Sequence, residues 1–330
     1  MVCQESAAPY DKESFMGPRL AAACVLLAIT VAAAAQDQDE DASKVEITAT
    51  HVAGNVFLLQ AGDASNIAAS VAEDGIVLVD DAIAPLAGKI RAALKGLSIA
   101  DKPVRFIIIT HYHFDHTGGN LPFADSGSVI ISHDNARARL RSGGLSGNGG
   151  SVRFDNKPAD IGALPIITFD HDLSIHLNGQ DIRAVHYPAG HTDGDVVVYF
   201  SDANVVHMGD EFVRYGFPFI DVDAGGTVQG MIKACESVIA TVPPNVKVIP
   251  GHGDVASLAD VREYVAMLKG TTAAVEKALH SGKTLDQMKR ANVLGAWSGR
   301  YSGFISTDGF LETIYNSLTH RELASSVKHN

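Results

Sequence analysis

The stretch "HYHFDH" places His111, His113, Asp115 and His116 within six residues, directly after the apolar run "VRFIIIT". Imidazoles at this density form either a solvated polar loop or one wall of a metal site. The rest of the chain decides between the two. Three more ligand-type side chains follow: His191 in "PAGHTDGD", Asp210 in "HMGDEF" and His252 in "IPGHGD". Each comes after an apolar run or a Pro/Gly turn, so all are offered from similar structural positions. Neutral imidazoles and carboxylates suit Zn2+ or another borderline transition metal. Seven such groups exceed what one tetrahedral ion needs and match two ions sharing a carboxylate. The remaining histidines lack such company and read as structural or exposed.

Elements that would position these groups are legible on either side of them. "VEITATHV", "NVFLLQAG", "NIAASVAE" and "GIVLVDD" are strand-like runs bounded by Gly, Asp or Asn. "PLAGKIRAALKGL" has helical spacing, and "VRFIIIT" is a buried strand that ends at His111. After "SVIISH" a helix is expected over "DNARARLRS". Residues Gly143–Ser151, "GGLSGNGGS", are too rich in glycine for a regular element and read as a surface loop or a lid. "LSIHLNGQDIRAVHYPAGH" reads as a hairpin around Asn178-Gly179, and "DVVVYF", "NVVHMGD" and "VKVIPGHGD" as further strands. From Ser257 the pattern turns helical, with Leu258, Val261, Val265 and Leu268 on one stripe. Strands followed by helices occur twice, which indicates an α/β fold.

The 330 residues carry a net charge of -12 with 46% hydrophobic residues, and no run of Lys/Arg appears. A nucleic-acid partner is therefore not expected, and a small-molecule substrate is. "MGPRLAAACVLLAITVAAAAQDQDE" has a cation at Arg19, an apolar run from Leu20 to Ala35 and small residues before Gln36. This pattern predicts a cleaved signal peptide over residues 1–35 with a leader extension, and hence a periplasmic or secreted protein. The run is short and Ala-rich for a stable membrane anchor. Residues 36–44 read as a disordered acidic lead-in. Removal of Cys3 and Cys24 would leave Cys235 alone, a small core residue without a disulfide.

With these motifs in order, the sequence resembles the metallo-β-lactamase superfamily. "HYHFDH" matches its H-x-H-x-D-H signature, and His191, Asp210 and His252 match its later motifs. The resemblance runs from about Val45 to Ala256. It implies a four-layer αβ/βα sandwich over residues 45–256, with residues 257–330 as a helical C-terminal extension packed on the same domain. Carried over by position, His111, His113 and His191 would bind a first zinc, and Asp115, His116 and His252 a second, with Asp210 bridging. Asp80, in "VLVDD", stands where many members have an acid behind the histidine loop, and otherwise reads as a turn residue. In "EFVRYGFPF", Arg214, Tyr215 and Phe217 would wall a substrate pocket, Arg214 facing a carboxylate, or else the aromatics pack in the core.

Departures from the family pattern narrow the chemistry. Some β-lactamases of the family carry Cys where this chain has Asp210. The Asp resembles the branch that holds glyoxalase II and the lactonases. Iron-binding members that reduce oxygen carry Glu at the position of His113, so zinc is expected. Only 41 residues separate Asp210 from His252, too few for the domain inserted in nuclease members. The expected activity is opening of a β-lactam or similar activated carbonyl by a hydroxide held between two zinc ions, with Asp115 moving the proton. A lactonase or a glyoxalase II-like thioesterase is the alternative, and a metal-binding scaffold the non-enzymatic one.

Overall fold

A computed structural model describes residues 42–330 except 63–64, 98–100, 188 and 328–330. The expected signal segment 1–35 lies outside the described residues, as does most of the acidic lead-in. Residues 42–44, in a unit separate from Val45–Asn330, take one helical turn where irregular chain was expected.

The first sheet is built from β1 (Ile47–Ala53), β2 (Val56–Ala61), β3 (Asn66–Ala72), β4 (Gly75–Val79), β5 (Val104–Ile108) and β6 (Val129–His133). β7 (Gly144–Gly147) and β8 (Arg153–Asn156) form a separate hairpin, and β9 (Ile167–Phe169) closes the first sheet beside β6. β1 to β4 pair antiparallel, whereas β4, β5, β6 and β9 run parallel. All five residues of β4 are buried, the continuous apolar run expected of a parallel strand covered on both faces.

The second sheet orders β10 (Asp172–Leu177), β11 (Gln180–His186), β12 (Val196–Phe200), β13 (Val205–His207), β14 (Lys247–Ile249) and β15 (Ala256–Ser257). The turn between β10 and β11 is the expected hairpin, with Asn178 and Gly179 both left-handed at φ 60° and 66°. β11 alternates, burying Ile182 and Ala184 while Asp181 and Arg183 stay exposed. Those inward residues meet Val56, Leu58, Val77, Val79, Ile108 and Ile131 from the first sheet in one core.

Helices cover the outer faces. They are α1 (Ala87–Leu97), α2 (Phe114–Thr117), α3 (Asn120–Ala124), α4 (Asp134–Ser142), α5 (Val228–Thr241), α6 (Leu258–His280), α7 (Leu285–Arg290), α8 (Gly295–Tyr301) and α9 (Thr307–Val327). Helix α6 starts as expected: Ser257 accepts from the backbone N–H of Asp260, and Asp260 accepts in return from Ser257 N–H. Leu258, Val261, Val265 and Leu268 are all buried, in a second core that includes Met231 and Cys235 of α5 and Phe310 and Ile314 of α9. Cys235 is buried, the core position read from the sequence. This is the layered αβ/βα sandwich with a helical C-terminal region.

One sequence reading is corrected. The glycine-rich stretch from Gly143 is ordered rather than a loop: Gly144 to Gly147 pair with Asn156 to Arg153 in an antiparallel ladder. Gly143 and Gly144, at φ 60° and 124°, let the chain turn out of α4 into this hairpin. Asn148 and Ser151 at its turn are tied to α9. Glu312 Oε2 accepts from Ser151 N at 3.0 Å and Ser151 Oγ at 2.5 Å, and Asn316 donates to Asn148 O at 3.1 Å.

Candidate metal centre

Parallel strands deliver their carboxyl ends to one edge of a sheet, where side chains on the following loops converge. Asp80 follows β4 and His111 lies just beyond β5. In the second sheet β11, β13 and β14 share one direction, and His191, Asp210 and His252 lie on the loops after their ends. The two edges are stitched together: Thr110 O accepts from Val196 N at 2.8 Å, and Gly251 O from Asn66 N at 2.8 Å. Seven ligand-type residues from four segments thus meet at one place.

Three groupings result, each with its donor atoms within 4.8 Å of one another: His111, His113 and His191; His111, His116 and Asp210; and Asp115, His116 and His252. His113 Nδ1 faces His191 Nε2 at 2.9 Å, and His116 Nε2 faces His252 Nε2 at 3.4 Å. Asp210 lies between the groupings, with Oδ1 3.3 Å from His116 and Oδ2 3.8 Å from His191 and 3.6 Å from His252. Asp115 Oδ2 is 3.3 Å from His252 Nε2. A Cβ at Gly251 would collide with Asp210 Oδ1, so only glycine admits the carboxylate here.

The outward nitrogens decide what the inward ones can do. His116 Nδ1 lies 2.7 Å from Asp80 Oδ2, His113 Nε2 2.9 Å from Asp221 Oδ2, and His191 Nδ1 2.8 Å from Phe219 O. Each of these oxygens can only accept, so each outward nitrogen carries the proton and leaves a lone pair facing inward. His111 is fixed through a relay. Thr110 Oγ1 donates its one proton to Asp80 Oδ2 at 2.7 Å, so it accepts from His111 Nδ1 at 3.0 Å. His111 Nε2 then has a lone pair, and among the described residues it is buried with no partner, as is Asp210 Oδ1.

Inward lone pairs facing each other at such distances, beside a buried carboxylate, are unfavourable unless cations lie among them. The donor set therefore fits two metal ions. The electrostatics show the acids drawing positive charge to one group of ligands. Against burial, Asp115, Asp210 and Asp80 raise His116 well above the usual imidazole range, and Asp210 and Asp115 raise His252 to about 10, protons whose place a bound cation would take. Burial and then the neighbouring His116, His191 and His113 push His111 well below the usual imidazole range, keeping it neutral. Burial alone would raise Asp210, but His252 and His116 outweigh it and hold the carboxyl well below its usual range. Burial would likewise raise Asp115, and His116 and His252 bring it down to about 2.

Asp80 thus sits behind the histidine loop and touches both His116 and, through Thr110, His111. It takes φ +64°, a conformation non-glycine residues rarely adopt, and is held there by bonds from Thr110 N and Oγ1. Sequence reasoning missed Asp221. It is fully buried and accepts from Tyr112 Oη (2.6 Å), Ser146 Oγ (2.7 Å) and Gly147 N (2.8 Å) as well as contacting His113. Its one signal was an acid between the apolar Ile220 and Val222, which implies buried partners the sequence does not name.

A cleft of about 750 Å3 opens over the centre, lined by Asp115, Asp210 and His252 together with Arg214, Tyr215, Phe114, Phe154, Phe219 and Phe304. Arg214 and Tyr215 line this cleft, and the Arg214 guanidinium also donates to the carbonyls of Asp254 and Val255. Phe217 is not in the cleft wall. Its ring is fully buried and stacks on Phe310 at 4.6 Å, whereas Phe219, two residues on, packs against His113.

Known proteins resemble this chain in sequence and in fold. The "Probable metallo-hydrolase YqgX" of Bacillus subtilis is 27% identical over 167 residues, half of this chain and 75% of that protein. The human "Acyl-coenzyme A thioesterase MBLAC2" is 27% identical over 159 residues, 44% of this chain and 54% of that one. The solved "Metallo-beta-lactamase from Pontibacter korlensis" superposes with a TM-score of 0.57 at 17% identity, covering 68% of this chain and 99% of that one. The sequence profile of the metallo-beta-lactamase superfamily matches residues 51–275, and the chain belongs to that superfamily of metal-dependent hydrolases.

Proposed function

We propose that this chain hydrolyses a small substrate with an activated carbonyl, a thioester, ester or β-lactam, using two zinc ions. The observation that carries this is the convergence of seven ligand-type side chains, of which His113, Asp115, Asp210 and His252 line one cleft, with Asp210 between the two groups. His111, His113 and His191 would hold one ion, Asp115, His116 and His252 the other, and Asp210 both. Such ions supply Lewis acidity and lower the pKa of bound water.

The chain's own residues would do the rest. Asp80 and Asp221 fix the imidazole tautomers. Asp115 is the more open of the two acids, its side chain 26% exposed against 6% for Asp210. Hydrolysis adds the oxygen of water to the carbonyl carbon, breaks the bond to sulfur, oxygen or nitrogen, and returns one proton to the leaving group. In this reading Asp115 carries that proton. Two observations favour the thioester or ester over the β-lactam: the cleft is walled by aromatic rings, and the human relative is named as a thioesterase. Export is part of this reading and rests on the N-terminal sequence alone; the N-terminal residue of the mature protein tests it.

Substitution of the shared ligand tests the whole reading. Asp210→Ala should lower bound metal from near two ions per chain and reduce hydrolysis by orders of magnitude, with secondary structure retained. Full metal content and full activity in that variant would sink it.

A further inference from the structure

Two ladders of aromatic rings climb from the centre to the mouth of the cleft. On one side Phe219 packs against His113 and His191 at 5.7 and 5.9 Å, and Phe154 stands edge-on to Phe219 at 5.7 Å. On the other, Tyr215 packs against His252 at 5.5 Å, and Phe304 stands edge-on to Tyr215 at 5.6 Å. Each ladder thus begins at a different group of metal ligands. The top rungs are unusually open for phenylalanine, 42% exposed at Phe154 and 68% at Phe304, and both line the cleft. Large apolar side chains left exposed around a concave site mark where an apolar ligand is received.

Neither top rung belongs to the sheets that carry the metal ligands. Phe154 is on β8 of the separate hairpin, and Phe304 lies between α8 and α9, beyond residue 275 where the family profile ends. The same C-terminal region holds the hairpin in place through Glu312 and Asn316, and Lys289 of α7 supports Glu312 at 2.5 Å. One region therefore supplies one rung and positions the other. Among the described residues that line this cleft, Arg214 carries the one guanidinium or ammonium group, and it already donates to two carbonyls, so away from the metal ligands a polyanionic ligand would find little to pair with.

The geometry points to a specificity clamp: Phe154 and Phe304 receive the apolar chain of an acyl thioester or ester, leaving its carbonyl over the metal ligands. The position of the carbonyl rests on the hydrolase reading above; the clamp rests on the rings alone. Both side chains are specificity determinants rather than catalytic residues. Discrimination should scale with chain length, because each methylene withdrawn from water favours binding by about fourfold.

The test uses zinc-loaded full chain with acetyl and octanoyl thioesters of N-acetylcysteamine, and calorimetric binding of acetate and octanoate. Wild type should prefer the octanoyl thioester. Phe154→Ala/Phe304→Ala should raise KM for it by about 10- to 100-fold, leaving kcat and the acetyl substrate within about twofold. Octanoate affinity should fall in parallel and acetate affinity should not. Phe304→Leu, which keeps an apolar side chain, should restore most of the preference. Equal turnover of the two thioesters, unmoved by the substitutions, would overturn the clamp and leave the hydrolase reading intact. No hydrolysis of either thioester, with octanoate bound and weakened in the double variant, would sustain the clamp and remove the thioesterase reading. Octanoate binding no tighter than acetate would overturn the clamp whatever the activity.

Discussion

Replacing Asp221 by Asn isolates one cause of metal affinity, the tautomer of His113. Asp221 Oδ1 accepts from Gly147 N at 2.8 Å and Ala224 N at 3.0 Å, and Oδ2 from Tyr112 Oη at 2.6 Å and Ser146 Oγ at 2.7 Å, with His113 Nε2 at 2.9 Å. An amide keeps the shape of the carboxylate, and its oxygen would stay on the Oδ1 side, where two backbone N–H groups cannot turn away. The NH2 group then faces Tyr112, Ser146 and His113. The hydroxyls can rotate their protons elsewhere. His113 can meet an NH2 only by leaving Nε2 bare, which moves its proton to Nδ1, the atom directed at His191 Nε2. A protonated Nδ1 cannot be a ligand. Loss of such a supporting bond weakens metal binding by about 10- to 100-fold, or about 1.4 to 2.7 kcal/mol. Competition with a series of chelators of graded affinity, followed by elemental analysis, reads this directly. On the two-ion reading proposed above, the ion that His111, His113 and His191 would hold should be lost first from Asp221→Asn, with the other retained. Equal affinity of wild type and variant for both ions would refute the assignment of Asp221 as the residue that fixes His113.

Two further expectations concern the frame around the centre. His133 is buried and stacks on His186 at 3.7 Å, near Asp134 and Asp193, and burial followed by the His186 charge lowers its pKa below 6.5. The folded state therefore binds fewer protons than the unfolded one, so stability is lost as pH falls below about 6.5. His133→Asn keeps an acceptor for the Asn135 N–H and removes the titration, so urea unfolding of wild type should weaken more than that of the variant between pH 7 and 5; parallel pH profiles would refute this. Glu312→Gln removes the charge that pairs with Lys289 and accepts from Ser151, and should lower stability by about 1 to 3 kcal/mol. Hydrogen exchange should then accelerate in residues 144–156 and not in β4 or β5, and uniform exchange would show that the hairpin does not depend on α9.

The candidate ligands could be picked out in the sequence because each follows an apolar run or a Pro/Gly turn. An apolar strand must be buried and its carboxyl end must emerge at a sheet edge, where "HYHFDH", Asp210 and His252 sit; His191 instead follows the alternating β11 and a Pro/Gly turn. Helix α6 was legible for a similar local reason, since Ser257 and Asp260 satisfy each other's backbone within one turn. What escaped depends on contacts between residues distant in the chain. Asp221 meets His113 across 108 positions, and nothing near Ile220 or Val222 announces that partner. The hairpin after Gly143 looked irregular because glycine weakens strand propensity, yet cross-strand pairing and Glu312, 161 residues beyond Ser151, hold it. Phe217 and Phe219 are chemically identical and two residues apart. Only the arrival of Phe310 from α9 determines that Phe217 stacks in the core, while Phe219 faces the cleft. Sequence alone thus determined the chemistry available at the strand ends, because local patterning controls burial. Tertiary structure decided which groups support it and what shape of substrate it meets, because those contacts exist only once distant segments are packed together.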